Sequence, residues 1–309
     1  MSGLSPASLL LLRLFTADPC SREALSGLLA TVRDVADTSE RVARISEAFV
    51  GKPYRFSPLG EGFGVDPEPL CRLDRFDCLS LVEISLALAL DSDAGSVAET
   101  LQRIRYLPPD GPPRAERAPP RWLPFLLPSL TSRLDRLRGQ AERVGFVRRK
   151  HFPLSQWLPF NQRAGFIEDI TEEVAGARVV WLEKSLDAEL WKRRKRPRYA
   201  PRLQPGDVPV GTFKLPVLPI EEVLMASERI PHGAIVAVVR ADRPDVFDPI
   251  VHMGIVVRKP DGVYLRHAVP KKIRRVIDEP LATFVKRSLS YRDWPVLGLN
   301  IQRAGRPLP

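Results

Sequence analysis

From Cys78 to Leu90 the chain is apolar on nearly every side of a helical wheel, with Ser80, Glu83 and Ser85 the polar breaks and no Gly or Pro. A helix without a polar face has to be covered all round, so this segment reads as a thoroughly buried helix on which the fold is built. Asp77 is placed to cap it, because a carboxylate at that position accepts hydrogen bonds from the free amides of the first turn. Cys78 then stands in the positive end of the helix field, where a thiolate is favoured. A small core cysteine is the alternative reading, and this segment alone does not decide between the two.

A second segment bears on the choice. Ile250–Val257 is rich in β-branched residues, Lys259-Pro260-Asp261-Gly262 supplies a turn, and Val263–Val269 reads as the returning strand of a hairpin. Side chains alternate along a strand, so His252 and His267 fall on one face, opposite or diagonal to each other. The chain has 4 histidines, and two of them meet on this hairpin. Each alone is an ordinary sheet histidine. Together with Cys78 they supply a nucleophile, a base to take its proton, and a polar group to fix that base's tautomer.

A cysteine at a helix start, then His252-Met253-Gly254-Ile255-Val256-Val257, then a polar residue on the next strand, resembles the NlpC/P60 cysteine peptidases and amidases. Within that superfamily the chain is most similar to the N-acetylmuramoyl-L-alanine amidase-like branch. The supporting segments run in order over roughly residues 40 to 305. They are Gly51-Lys52-Pro53-Tyr54 with Pro58-Leu59-Gly60-Glu61-Gly62, the Asp77-Cys78 helix with Glu83, and Arg149-Lys150-His151-Phe152. Trp157, Asn161 and Gly165–Thr171 follow, and then the histidine strands.

The resemblance implies Cys78 as nucleophile, His252 as general base and acid, and His267 as the orienting member. It implies Tyr54 and Asp77 as supports of the oxyanion region, and Arg149, His151, Trp157 and Asn161 as candidate substrate contacts. A solvated basic face is the alternative for Arg148-Arg149-Lys150. Phe152 stands where the family more often has tyrosine, and the stretch from Pro108 to Val144 is longer and richer in Pro and Arg than the family pattern. The implied chemistry is cysteine acyl transfer on bacterial peptidoglycan or muropeptides. The bond implied first is that between the lactyl group of muramic acid and L-alanine; the alternative is the D-glutamate to diamino-acid bond of the stem peptide. No cofactor is implied.

Composition narrows the alternatives. A chain of 309 residues with 44% hydrophobic and 27% charged residues has the make-up of a soluble globular protein. The net charge of +10 gathers in Arg133–Arg149, Lys192–Arg196 and Lys271–Arg275. Nucleic-acid or envelope binding without catalysis is therefore the reading from another class. No helix-turn-helix, zinc-finger or RNP signature accompanies these runs, and no aromatics interleave with them, so nucleic acid is not expected. Short ligand spacings such as Cys-x-x-Cys are absent, so no metal is expected either.

The 3 cysteines exclude a full disulfide framework, and neither Cys71 nor Cys78 is expected to need a bridge, with Cys20–Cys71 pairing the alternative. The apolar run Leu9–Phe15 is short, broken by Arg13 and without a preceding basic residue. It is a poor secretory signal and too short to span a membrane. Location in the cell envelope or periplasm thus follows from the resemblance alone, with a secreted effector or a cytoplasmic enzyme as alternatives.

The expected architecture is α+β, a papain-like core with the cysteine helix packed on an antiparallel sheet. A helical lead over 1–48, with one helix over Arg22–Ala48, precedes a catalytic domain over 49–305. Expected strands are Ala234–Arg240, Ile250–Val257, Val263–Val269, Ile273–Ile277 and Val296–Gln302. A helical and loop insertion over about 107–215 includes a helix over Trp181–Arg196.

Overall fold

The computed structural model describes residues 20–58, 71–108, 148–193 and 203–306. The Leu9–Phe15 run, the Gly60-Glu61-Gly62 motif, most of the Pro- and Arg-rich stretch before Arg148, and Arg194–Arg196 lie outside the described residues.

Two helices, α1 (Arg22–Ala30) and α2 (Thr38–Glu47), stand where one was expected. The apolar spacing runs on between them, but Asp37 accepts from the amides of Ser39 and Glu40 and starts a new helix there. The cysteine helix α3 (Cys78–Leu90) opens on a reciprocal cap. The Asp77 carboxylate accepts from the Ser80 amide at 2.8 Å, and the Ser80 hydroxyl accepts from the Asp77 amide at 2.9 Å. Helix α4 (Val97–Arg105) follows, and a π-helical turn at Pro153–Trp157 leads into α5 (Leu158–Arg163). The next elements are β1 (Ile167–Asp169), α6 (Thr171–Ala175), β2 (Val180–Leu186), α7 (Ala188–Arg193), β3 (Gly211–Pro219) and α8 (Val223–Ala226). The chain closes with β4 (Ile235–Arg240), β5 (Ile250–Lys259), β6 (Gly262–Ala268), β7 (Val276–Pro280), α9 (Leu281–Leu289) and β8 (Val296–Ala304).

The class is α+β with an antiparallel sheet, as expected. Its strand order is β2-β3-β8-β4-β5-β6-β7, with β1 paired to β8. Three expectations need correction. Residues 180–186 form strand β2, and the helix begins only at Ala188, because the alternation of buried Leu182, Lys184 and Leu186 has period two. With β1 and the start of β3, this strand belongs to the sheet, so the expected insertion contributes to three of its strands. Strand β7 begins at Val276 and reaches Pro280, which leaves Ile273 in the preceding loop.

The sheet separates two apolar layers. On one face Leu81, Ile84 and Leu88 of α3 meet Ile235, Ala237, Met253, Ile255 and Val257. On the other, Phe284 and Val285 of α9 meet Val236, Val256, Leu265 and Ile301. Helix α2 is part of the first layer. The Arg266 guanidinium donates to the Ala43 carbonyl at 2.8 Å and to the Ser46 hydroxyl at 3.0 Å, while Arg41 donates to the Asp91 carbonyl. No described helix is long and apolar enough to cross a membrane.

Cys20 is bonded to Cys71, a pairing the cysteine count had left as a bare possibility, and Cys78 is free. The bridge spans 51 residues of sequence and holds the start of α1 against the approach to α3. Closing a loop of that size removes enough disorder from the unfolded chain to stabilise by about 2–4 kcal/mol. Replacing both cysteines with serine should lower the unfolding free energy by that amount, measured by urea denaturation with and without reductant. Reductant should leave the double variant unchanged.

Candidate active site

The start of α3 and the start of β5 open on one cleft of about 450 Å³. Cys78, Asp77 and Tyr54 line it from one side, and His252, Met253 and Asp248 from the other. The seating is specific. The Met253 amide points at the Cys78 sulfur, as do the amides of Cys78 itself and Leu79, which lie in the first helical turn where amides have no intrahelical acceptor. His252 is therefore one peptide away from the group that touches the sulfur. Among the described residues no direct hydrogen bond joins the thiol to the imidazole.

A chain of polar contacts runs away from the cleft behind His252. Its Nε2 lies 2.7 Å from His267 Nδ1, the two rings standing nearly edge to face at 76°. The two histidines are diagonal on one face, since the β5–β6 register has Ile255 opposite Arg266. His267 Nε2 is 3.0 Å from Glu279 Oε2, close but not aligned as a straight hydrogen bond. Arg287 grips Glu279 with both Nε, at 3.2 Å, and Nη2, at 2.6 Å. Gly254 makes room for this packing. A Cβ there would fall 2.7 Å from Leu265 Cδ1 and 3.2 Å from His267 Cβ.

Electrostatics fix the protons along this line. Partial burial at Glu279 is outweighed by the paired hydrogen bonds and charge of Arg287, with His267 close by, and its carboxyl is held down at about 2, so it is an acceptor throughout the neutral range. With both rings neutral, a His267 proton on Nε2, toward Glu279, leaves Nδ1 to accept, and that arrangement puts the His252 proton on Nε2. The lone pair of His252 is left on Nδ1.

Burial dominates both the thiol and the imidazole. It pushes the Cys78 thiol up to about 12, with the neighbouring Asp77 charge adding to the rise, against the pull of the three amides. It pulls the His252 imidazole down to about 3, and the positive charge of Arg287 behind it adds to the fall. The helix start was expected to favour thiolate. Burial and Asp77 prevail, and both shifts favour the neutral forms.

Two walls complete the cleft. Arg149 and His151 line it, as the sequence suggested. The solvated-face reading of the Arg148-Arg149-Lys150 run fails for its last two members, which are buried. Arg149 lies 3.9 Å from Glu83, whose carboxylate also holds Arg105 at 2.7 Å and the Trp157 indole N–H at 3.2 Å. Lys150 donates to Asn161 Oδ1 at 2.8 Å and to the Arg103 and Ile104 carbonyls; burial lowers its ammonium to about 8. Trp157 and Asn161 are thus sealed behind the wall and brace it, instead of facing the cavity. The other wall is aromatic. Phe152, Trp191 and Phe247 meet with ring centroids 4.8–5.6 Å apart.

The sequence of this chain matches the pattern of the family described as AmiA-like, N-acetylmuramoyl-L-alanine amidase-like, over residues 44–111 and 126–290. The chain belongs to that family. Solved structures share its fold. One is a protein from Legionella pneumophila, with a TM-score of 0.69 at 19% identity over 93% of this chain and 96% of that one. Another is an N-acetylmuramoyl-L-alanine amidase from Bacteroides uniformis, with a TM-score of 0.58 at 18% identity over 87% of this chain and 99% of that one. At such identities the likeness concerns the fold. No curated protein matches the chain.

Sequence reading missed Glu279, Arg287 and Asp248 in this family member. Glu279 sits on the face of β7 that also carries Ile277, the partner of His267, so a correct strand boundary would have exposed it. Arg287 arrives from α9 and has no local signal. Asp248 accepts from the amides of Leu154 and Ile250 and pins the β5 start to the cleft wall; burial raises its carboxyl to about 7.

These shifts have opposite consequences for folding. His252 is neutral when folded and titrates near 6.5 when unfolded, so it costs stability as pH falls from 6.5 toward 3 and costs nothing above. Asp248 is protonated when folded over the range where it ionises unfolded, so its contribution is lost as pH rises from about 4 to 7. The two largely offset between those limits, and the ring must be watched directly. Nitrogen-15 NMR should show His252 neutral from pH 7 down to about 4; a midpoint near its ordinary value would contradict the burial argument.

Proposed function

We propose that this protein is a papain-like NlpC/P60 cysteine amidase that cleaves the amide bond between muramic acid and L-alanine in peptidoglycan or its fragments. The single observation that carries the reading is the meeting of a helix-start thiol and an oriented imidazole in one cleft, each on a different element. Family membership supports the substrate class, and the Bacteroides uniformis neighbour bears the name of that activity.

The chemistry follows from the protons. As the Cys78 sulfur attacks the carbonyl carbon, its proton passes to His252 Nδ1, so that a carbon–sulfur bond forms and an imidazolium appears. His267 and the ionised Glu279 behind it stabilise that imidazolium and keep the ring from turning. The carbonyl oxygen becomes an oxyanion facing the first-turn amides of α3, with Tyr54 on the adjoining wall. A well-placed donor there lowers the barrier by on the order of 3 kcal/mol. Collapse of the tetrahedral species expels the amine, which takes the proton from His252, and leaves a thioester on Cys78. Water then gives a proton to His252 and its oxygen to the acyl carbon, releasing the acid and the free thiol.

Substrate contacts follow the walls. Arg149 and His151 offer positive or hydrogen-bonding groups to stem-peptide carboxylates, and the aromatic trio offers an apolar floor for sugar or alanyl groups. The Cys20–Cys71 bridge supports action in an oxidising compartment such as the cell envelope.

The test is product identity. Purified protein incubated with peptidoglycan and with soluble muropeptides should release a stem peptide beginning with L-alanine, identified by mass. Cys78→Ala should reduce turnover by on the order of 10⁴ or more. A sugar still carrying its first two amino acids would instead establish cleavage after D-glutamate, and no turnover on either substrate would overturn the hydrolase reading. Glu279→Gln should lower kcat by at least about tenfold with KM little changed, because it acts on the imidazolium and not on substrate.

A further inference from the structure

Beside the cleft, residues 50–56 form a short ribbon with residues 273–276. Pro53 pairs with Arg275, the Tyr54 amide donates to the Arg274 carbonyl at 2.8 Å, and the Val276 amide donates to the Lys52 carbonyl at 2.9 Å. Tyr54, Phe56 and Pro270 carry this ribbon onto the cleft mouth. The ribbon and the 270–272 loop that leads into it hold Lys52, Arg55, Lys271, Lys272, Arg274 and Arg275, and no acidic residue. All six are exposed, and none pairs with a carboxylate among the described residues.

Charge is half of the pattern. Ile273, in the middle of the cationic loop, is 45% exposed, and Phe56 is 37% exposed. The pairing places Arg55 opposite Ile273, so Pro53, Arg55, Ile273 and Arg275 share the outward face. Lys272 and Arg274 adopt φ of 58° and 51°, a left-handed conformation that these side chains seldom take without a reason. Conformational cost is thus spent on a loop that displays an isoleucine among cations to solvent.

We infer that this ribbon is a docking surface for an anionic lipid bilayer. The cations approach phosphate headgroups, Ile273 enters the boundary of the acyl chains, and the cleft mouth is held at the membrane face. A soluble polyanion would satisfy the cations equally but gives the exposed isoleucine nothing to do. This inference goes beyond the proposed hydrolysis, and its readout does not depend on catalysis.

Co-sedimentation with vesicles tests it. The full chain should bind phosphatidylcholine vesicles containing phosphatidylglycerol, should bind pure phosphatidylcholine far more weakly, and should be released by high salt. The Lys52→Gln/Arg55→Gln/Lys271→Gln/Arg275→Gln variant avoids the two left-handed positions and should bind at least about 100-fold more weakly. Ile273→Ser should weaken vesicle binding by about fivefold while leaving the affinity for inorganic polyphosphate unchanged. Equal binding to both vesicle types would overturn the inference. So would a serine variant that binds anionic vesicles as well as the parent does, since the surface would then recognise phosphate alone.

Discussion

The seating of the first turn of α3 against the edge of β5 is the contact on which the rest of the site depends. It is produced by two independent forces. Burial of side chains such as Leu81, Ile84 and Leu88, each worth roughly 1.5–3 kcal/mol, fixes the helix against the sheet but leaves it free to slide by a turn. The Asp77–Ser80 cap removes that freedom by deciding where the helix begins. Cys78 is thereby held where the Met253 amide meets its sulfur, and His252 comes with Met253 as the adjoining residue of the strand.

Burial also sets the chemical character of the pair. A thiol at a helix start with a histidine nearby suggests a standing ion pair, yet both sit where charge is poorly solvated. Backbone amides and the helix field are too weak to offset this, and the neutral forms prevail. In the proposed mechanism the charge separates only as the carbonyl is attacked, when oxyanion and imidazolium can be met by fixed partners. Those partners are already in place, with first-turn amides on one side and the His267–Glu279–Arg287 line on the other. The field of Arg287, which keeps Glu279 ionised, thus reaches the cleft through two imidazoles.

Much of this arrangement was legible in the sequence because it rests on local patterns. The apolar helix, its Asp77 cap and the histidine hairpin are each written in one contiguous stretch, and strands β4, β5, β6 and β8 read from short runs rich in β-branched residues. What was misread depends on contacts far along the chain. Strand β2 was taken for helix because Lys184 reads as polar until its ammonium is seen donating to Asp242 at 2.6 Å. The break after α1 was hidden by continuous apolar spacing. Trp157 and Asn161 were assigned to substrate because their buried partners, Glu83 and Lys150, lie elsewhere in sequence. Glu279 and Arg287 needed the true β7 register and the packing of α9 before their place behind His267 could be seen.

The most direct measurement is the mass of the intact protein during turnover. Wild-type protein mixed with a soluble muropeptide and quenched in acid is expected to carry an adduct equal to the sugar-bearing acyl half, mapped to Cys78 by peptide fragmentation. Stem peptide should appear in solution at the same time. Product release at full rate from protein that never carries an adduct, together with an active Cys78→Ala variant, would contradict the central claim that the sulfur is the attacking group.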